Sequence, residues 1–459
     1  MKRVFIIFAL INLSLRTFAQ EDVAEIDLPS VNLKDTQIKS LGDSLFIAVD
    51  WFDSNSDLVL KKGYWVDSRG TISSYEFGFL QKAILCGVEK TNEGVYYYYL
   101  DLSQSKKDRD EIRVMRSNGE SKQILKIKQS IHFEGDFLGI VNSNGIKAIT
   151  YNGKDQNIRI TGLEKGEIME DNQIHIPSEF EVYLRESFTL FEPESINFIG
   201  KGSTENKLFY TKDKLTIVAN NFSTKTIAIT IDLSAKKVLS FQIPSNTYKK
   251  ASYFHNGLLY YLSASSKEYS LRIFDLTSNN ELYKKEYPRL DAFKDNQIYW
   301  RIDKMNKDKL VFKGESLYKL MNSKTDFKLS ILVESDHENK PIIVFGDFFD
   351  EKGGGIAGGS NLLTMMAVFL VTTTLRESLG NGAGQSRYSY LSGDITAGFK
   401  INTEFKENKP LRQVIDDYEI AEQSKKSQFD SKNYIMLQSK KIIAIYHFRS
   451  EKKIKFVKF

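Results

Sequence analysis

Short apolar runs closed by Lys/Asp/Asn/Ser turns recur along most of the chain, and between Lys207 and Pro288 one pattern is written twice. Lys207–Tyr210, Leu215–Ala219, Ile227–Ile231 and Val238–Ile243 are followed in the same order by Tyr253, Leu258–Leu262, Leu271–Phe274 and Leu282–Tyr287. The landmarks repeat at a shift of 43: Tyr210 to Tyr253, Leu215 to Leu258, and Ile231-Asp232-Leu233-Ser234 to Phe274-Asp275-Leu276-Thr277. Four strands per roughly 40–45 residues is the period of a β-propeller blade. The pattern predicts an all-β chain.

Laid along the chain, this ruler places strand groups near 45, 95, 138, 215, 258, 298, 342 and 442. Leu100-Asp101-Leu102-Ser103 resembles Ile231-Asp232-Leu233-Ser234 at a spacing of 131, about three periods, and suggests one register through the first half. If the groups at 342 and 442 share one split blade, the count is about seven four-stranded blades, with an eighth if the irregular region Ile168–Ile199 holds one. Tyr434–Gln438, Lys441–Phe448 and Lys453–Val457 form three closing strands. A ring leaves open edges until its first and last blades are pinned, so residues between Val23 and Leu33 are expected to supply the missing fourth strand. The alternative architecture is a set of tandem β-sandwich domains.

One segment breaks the rhythm. Ile342–Phe348 and Ile395–Ile401 read as neighbouring strands of one blade, yet 46 residues, Phe349–Asp394, lie between them. That far exceeds a hairpin connection. Two Gly-rich arms, Gly353–Gly359 and Gly380–Gly384, flank Leu362–Leu375, the most apolar run after the first residues. Ser360 or Asn361 suits a helix cap, while the Val/Thr content of Val368–Thr374 equally suits a strand. A second helix candidate, Leu411–Gln423, carries Val414, Ile415, Tyr418 and Ala421 on one face.

The first residues read as an export signal. Met1-Lys2-Arg3 is basic, Val4–Leu13 is mostly apolar, and Thr17-Phe18-Ala19 offers small residues before a cut. Residues 1–19 are therefore assigned to a signal peptide and 20–459 to a single propeller-like domain with an insertion at 349–394. Loss of Lys2, Arg3 and Arg16 lowers the formal charge from +5 to +2. A near-neutral chain gives no electrostatic case for nucleic acid. The signal ending in Ala-Gln and the Lys/Asn-rich strands resemble exported proteins of Gram-negative bacteria, which implies the periplasm or the cell exterior. The lone Cys86 forms no internal bridge, and its apolar flank suggests a buried thiol.

Catalytic material is sparse. The five histidines show no zinc-helix spacing, and the Gly-rich arms lack the Lys of a phosphate loop, so no cofactor is expected. Asp53, Asn55 and Asp57 have the alternating spacing that opens a calcium loop, but Leu58 and Tyr64 stand where that loop needs Gly and Glu. Asp347 and Asp350 stand at the entrance to the insertion and Asp394 at its exit, candidates for a carboxylate pair acting on a glycosidic bond. Tyr96–Tyr99 put aromatic rings on both faces of one strand, which suits packing between blades. Gly353–Leu375 is uncharged over 23 residues, but both ends return to one blade, so no transmembrane span is expected. Leu362, Met365, Met366, Phe369, Tyr388 and Tyr390 are the candidate binding residues. The leading functional expectation is an exported, non-enzymatic binding or scaffold protein that engages a protein or glycan partner in the cell envelope. The alternative is a polysaccharide-acting hydrolase.

Overall fold

The computed structural model describes residues 21–459 with interruptions, the longest being 102–110, 118–126, 192–198, 289–297, 312–327, 351–383, 403–412 and 420–430; residues 1–20 lie outside it. The first strand is β1 (Glu21–Asp27). Blade one is β2 (Leu33–Leu41), β3 (Ser44–Asp53), β4 (Leu58–Val66) and β5 (Ile72–Phe77). Blade two is β6 (Ala83–Thr91), β7 (Gly94–Asp101), β8 (Glu111–Ser117) and β9 (Ile127–His132). Blade three is β10 (Asp136–Asn142), β11 (Ile146–Asn152), β12 (Asn157–Glu164) and β13 (Glu167–His175). A single helical turn, α1 (Glu181–Leu184), precedes blade four. That blade is β14 (Thr189–Phe191), β15 (Asn206–Thr211), β16 (Lys214–Ala219), β17 (Lys225–Asp232) and β18 (Lys237–Pro244). Its β14 runs parallel to β15, whereas the other four strands are antiparallel.

Blade five is β19 (Lys249–His255), β20 (Leu258–Ala264), β21 (Glu268–Asp275) and β22 (Asn280–Pro288). Blade six contains β23 (Ile298–Ile302), β24 (Lys307–Val311), β25 (Lys328–Ser335), β26 (Pro341–Asp350) and β27 (Gly384–Asp394), in the spatial order β24-β23-β27-β26-β25. A short β28 (Lys400–Asn402) pairs with the end of β27. Blade seven is β29 (Ser431–Met436), β30 (Ile442–Phe448) and β31 (Lys453–Lys458), completed by β1 from the start of the chain. Seven sheets of mainly antiparallel strands are present among the described residues, and the last is closed by the first strand. The fold is a β-propeller.

Burial follows from the stacking of blades. A middle strand such as β11 or β16 has a neighbouring blade on both faces, so its apolar positions are continuous rather than alternating. Outer strands face water, and β13 is exposed at all but one of its positions. Tyr96 and Tyr98 sit in the core between blades two and three, while Tyr97 and Tyr99 sit between blades one and two. All four tyrosines are fully buried, as the packing reading requires, and the Cys86 thiol is buried with them, outside any disulfide.

Blades two and three are also clasped by polar groups. The Glu89 carboxylate accepts the Tyr98 hydroxyl at 2.6 Å and the Lys165 amide N–H at 2.8 Å, while Gly166 N–H donates to Tyr98 Oη at 3.1 Å. Lys165 and Gly166 both hold positive φ in the β12–β13 turn, which aims their amides at the neighbouring blade. Hydrogen bonds to a charged acceptor are worth about 1.5–3 kcal/mol. Glu89→Ala is expected to lower urea-unfolding stability by about 2–4 kcal/mol, since it removes one acceptor shared by two donors. An unchanged midpoint would show that the clasp contributes nothing.

Several sequence expectations are corrected. The groups at 342 and 442 belong to different blades, six and seven, whereas those at 298 and 342 share blade six. The neighbour of β26 is β27 at 384–394, not Ile395–Ile401, so the insertion between paired strands is 351–383 rather than 349–394. Asp101 ends the second strand of its blade whereas Asp232 ends β17, the third of four antiparallel strands, so the spacing of 131 did not mark a common register. The irregular region 168–199 holds no eighth blade among its described residues. It contains most of the outer strand β13, α1, the parallel β14 and the start of a 3-10 turn, Ile199–Ser203. Residues 413–415 and 417–419 are helical, as expected, and Tyr418 packs against Tyr446 and Phe459 of blade seven.

Candidate functional site: the loop face of blades four to six

The starts of β15, β19 and β25 converge on one face of the ring. Asn220, just after β16, donates its backbone N–H to Glu205 O beside the start of β15. Glu205 in turn lies 3.7 Å from Lys328 Nζ at the start of β25. Asn220 Nδ2 donates to Ser252 Oγ of β19 at 2.8 Å, and Thr226 Oγ1 donates to Asn220 Oδ1 at 2.9 Å. Lys250 Nζ donates to the carbonyls of Phe222 and Lys225 (2.7 Å to the latter), tying β19 to the β16–β17 loop. Burial lowers the Lys250 amine from its ordinary range.

The insertion leaves from this same face. Lys328, at the start of β25, pairs with Phe348 near the end of β26, and the last β26–β27 pairs are Phe349↔Gln385 and Asp350↔Gly384. The two strands that carry 351–383 are thus held on both sides, by β25 along β26 and by β23 along β27. With ten and eleven residues they are among the longest strands of the chain. The Ile199–Ser203 turn packs against β25 and β26, with Gly202 set against Ser330 and Ile331.

This turn was not foreseen from sequence, and neither was the group beneath it. Lys207 in β15 is fully buried, and its Nζ donates to Thr204 O at 2.7 Å. Burial pushes its amine down from 10.5 to about 7, with Glu205 acting weakly in the opposite sense. The available signal was positional. Lys207 alternates with Phe209, which stacks on Phe191 and meets Tyr253 edge-on in the core, so the lysine occupies an inward position.

The predicted site residues fare differently. Asp347 lies opposite Arg387 and Asp350 opposite Gly384, at the insertion end of the β26–β27 pair. Asp394 pairs with Lys400 at the other end of the eleven-residue β27, about 33 Å along the strand. The backbone register therefore does not bring Asp394 to the other two. Tyr388 lies opposite Gly346 and Tyr390 opposite Val344, both within the sheet. Leu362, Met365, Met366 and Phe369 lie outside the described residues. Asp53 ends β3 opposite Leu58, whereas Asn55 and Asp57 lie outside the described residues. Among the described residues no three His, Cys, Asp or Glu side chains gather at a possible metal position. No helix among them is long and apolar enough to cross a membrane.

The sequence matches no family model and no curated protein. Solved structures with detectable likeness are distant. The Dos1 propeller is 12% identical, with 96% of each chain covered and a TM-score of 0.37. A neuraminidase-like protein of A/flat-faced bat/Peru is 9% identical, covering 80% of this chain and 94% of that one, at a TM-score of 0.30. One of two prolyl endopeptidases studied together is 11% identical over 68% of this chain, at a TM-score of 0.30, and this chain spans about half of its length. Likeness at this level bears on no activity, and the architecture rests on the strand pairing itself.

Proposed function

We propose that this chain is an exported, non-enzymatic binding or scaffold protein, which engages a protein or glycan partner through the loop face of blades four to six and the insertion 351–383. One observation supports this reading above the others: the insertion is mounted on two long strands fixed by neighbours on both sides. A propeller blade needs only a short turn at that point, and long loops on rigid scaffolds are where binding residues concentrate. The Gly-flanked run Leu362–Leu375 adds apolar side chains worth about 1.5–3 kcal/mol each on burial. Docking on a partner is one way to bury them.

The test replaces residues 353–382 with a two-residue turn. The expected result is a folded ring, with a thermal midpoint within about 3 °C of the full chain, that no longer retains its partner. Retention is read by crosslinking in the native envelope and on a glycan array, with the full chain alongside. If the shortened chain binds as well as the full one, the insertion is not the binding element. If it unfolds, the insertion belongs to the core.

A further inference from the structure

The buried amine of Lys207 takes no part in the binding reading, yet its surroundings are unusual for a lysine. Its one hydrogen bond among the described residues is to Thr204 O. An ammonium carries three donors, and a buried charge with one acceptor is strongly penalised. Thr189, its register partner on the parallel strand β14, has a buried hydroxyl with no partner of its own. Thr204 closes the Ile199–Ser203 turn, since its amide and its hydroxyl both donate to Lys201 O at 3.3 and 2.9 Å. Lys207 thus grips the end of that turn through a single carbonyl.

The turn is seated without slack on blade six. A Cβ added at Gly202 would lie 2.5 Å from Ser330 Oγ and 2.8 Å from Ile331 O of β25. The turn, the Glu205 that follows it, β19 and β25 carry the charged groups of the surrounding elements. Lys201 of the turn lies over the Phe191 ring at 4.9 Å, and Glu205 lies 3.7 Å from Lys328 of β25. Glu334 is the acid within β25, and β19 contributes Lys249 and Lys250, the latter held by two carbonyls. Thr189 of β14 and Val218 of β16, which flank Lys207 in the sheet, bring no charge.

We propose that Lys207 and the Ile199–Ser203 turn form a pH-sensitive latch: the uncharged amine holds the turn against blade six, and the charged amine releases it. Opening one short turn admits water to the ammonium at far lower cost than unfolding the ring. The burial that lowers the amine to about 7 sets the working range near neutrality. Because the turn packs on β25 and β26, its release loosens packing on the blade that carries the insertion. The latch itself requires no partner.

Hydrogen exchange on the full chain, read by mass spectrometry at about pH 6 and about pH 8.5 and corrected for intrinsic rates, tests this. Peptides covering residues 199–206 should exchange at least about tenfold faster at the lower pH, with blades one and two unchanged. Lys207→Met should exchange slowly at both pH values. Gly202→Ala, which props the turn away from Ser330, should exchange fast at both. A pH-independent rate in the wild-type turn would overturn the latch, as would full pH dependence in Lys207→Met or acceleration spread over the whole ring. If Gly202→Ala does not fold, the comparison of wild type with Lys207→Met still decides.

Discussion

A chain that begins at residue 29 should lose most of its stability, and a synthetic peptide of residues 21–28 should restore it. β1 is the outer strand of blade seven, paired with β31 from Glu21↔Lys458 to Asp27↔Lys453, and Leu28 N–H extends the pairing to Lys452 O at 2.6 Å. Ile26 and Leu28 are buried with Leu45, Ile47 and Val49 of blade one and Ile443, Ile454 and Phe456 of blade seven, so one strand joins the two ends of the ring. Burial of the two aliphatic side chains is worth about 1.5–3 kcal/mol each. The strand's hydrogen bonds add about 0.5–1.5 kcal/mol apiece before the entropy of ordering it is subtracted. A net loss of roughly 5 kcal/mol is expected, comparable with the whole stability of many domains. It also leaves the β31 edge unpaired and prone to association. The measurement is urea unfolding against a chain beginning at residue 20, with the peptide added at increasing concentration. A midpoint within about 0.3 M of the reference, or a peptide without effect, would show that closure does not depend on β1.

The blades that were legible in sequence are those whose geometry is local. Blades four and five keep short hairpins: Asn256 and Gly257 at positive φ turn β19 into β20, and Asp232 and Asp275 each accept backbone N–H groups from the turn that follows. These requirements fix residue types at fixed offsets, and the repeat at 43 records them. Asp101 shares only the local sequence and lies at the end of a different strand, so resemblance over four residues misled. Blade six was misread because its outer strands β23 and β24 precede its inner strands in the chain, and periodic spacing says nothing about which sheet a strand joins. The closing strand could be foreseen because three strands at the C-terminus leave an edge that some other segment must cover. Lys207 was missed for a physical reason of its own. A lysine at a strand start reads as edge protection, and only the third dimension shows that β14 and the Ile199–Ser203 turn shut it away from water.

Lys207→Met should raise stability and remove most of a pH dependence that the wild type shows above neutrality. The folded amine is lowered to about 7 and the unfolded one titrates near 10.5. Below pH 7 both states carry the proton and the group contributes no slope. Between pH 7 and 10.5 the unfolded chain binds more protons than the folded one, so stability rises with pH across that window. Each pH unit is worth about 1.4 kcal/mol, which gives a gain of about 3 kcal/mol between pH 7 and pH 9.5. Tyrosines bound the window from above. Burial raises Tyr64 to about 12 and pushes up Tyr98, Tyr260 and Tyr287, so their contribution is lost as pH climbs past the unfolded value of 10. His255, lowered by burial to about 4, bounds it from below, because it costs stability as pH falls through 6.5. A urea series from pH 7 to 9.5 therefore reads the buried lysines, Lys207 foremost and Lys250 in the same sense, and Lys207→Met separates the share of Lys207. The wild type is expected to gain roughly 2–3 kcal/mol across it, and Lys207→Met to lose most of that slope and exceed the wild type at pH 7 by a similar amount. If the turn opens before the ring unfolds, the ammonium reaches water in a state that is still folded, and the wild-type slope is shallower than the full 1.4 kcal/mol per unit. The slope thus measures how far the latch relieves the buried charge, and a wild-type profile equal to that of Lys207→Met would place the amine in contact with water throughout.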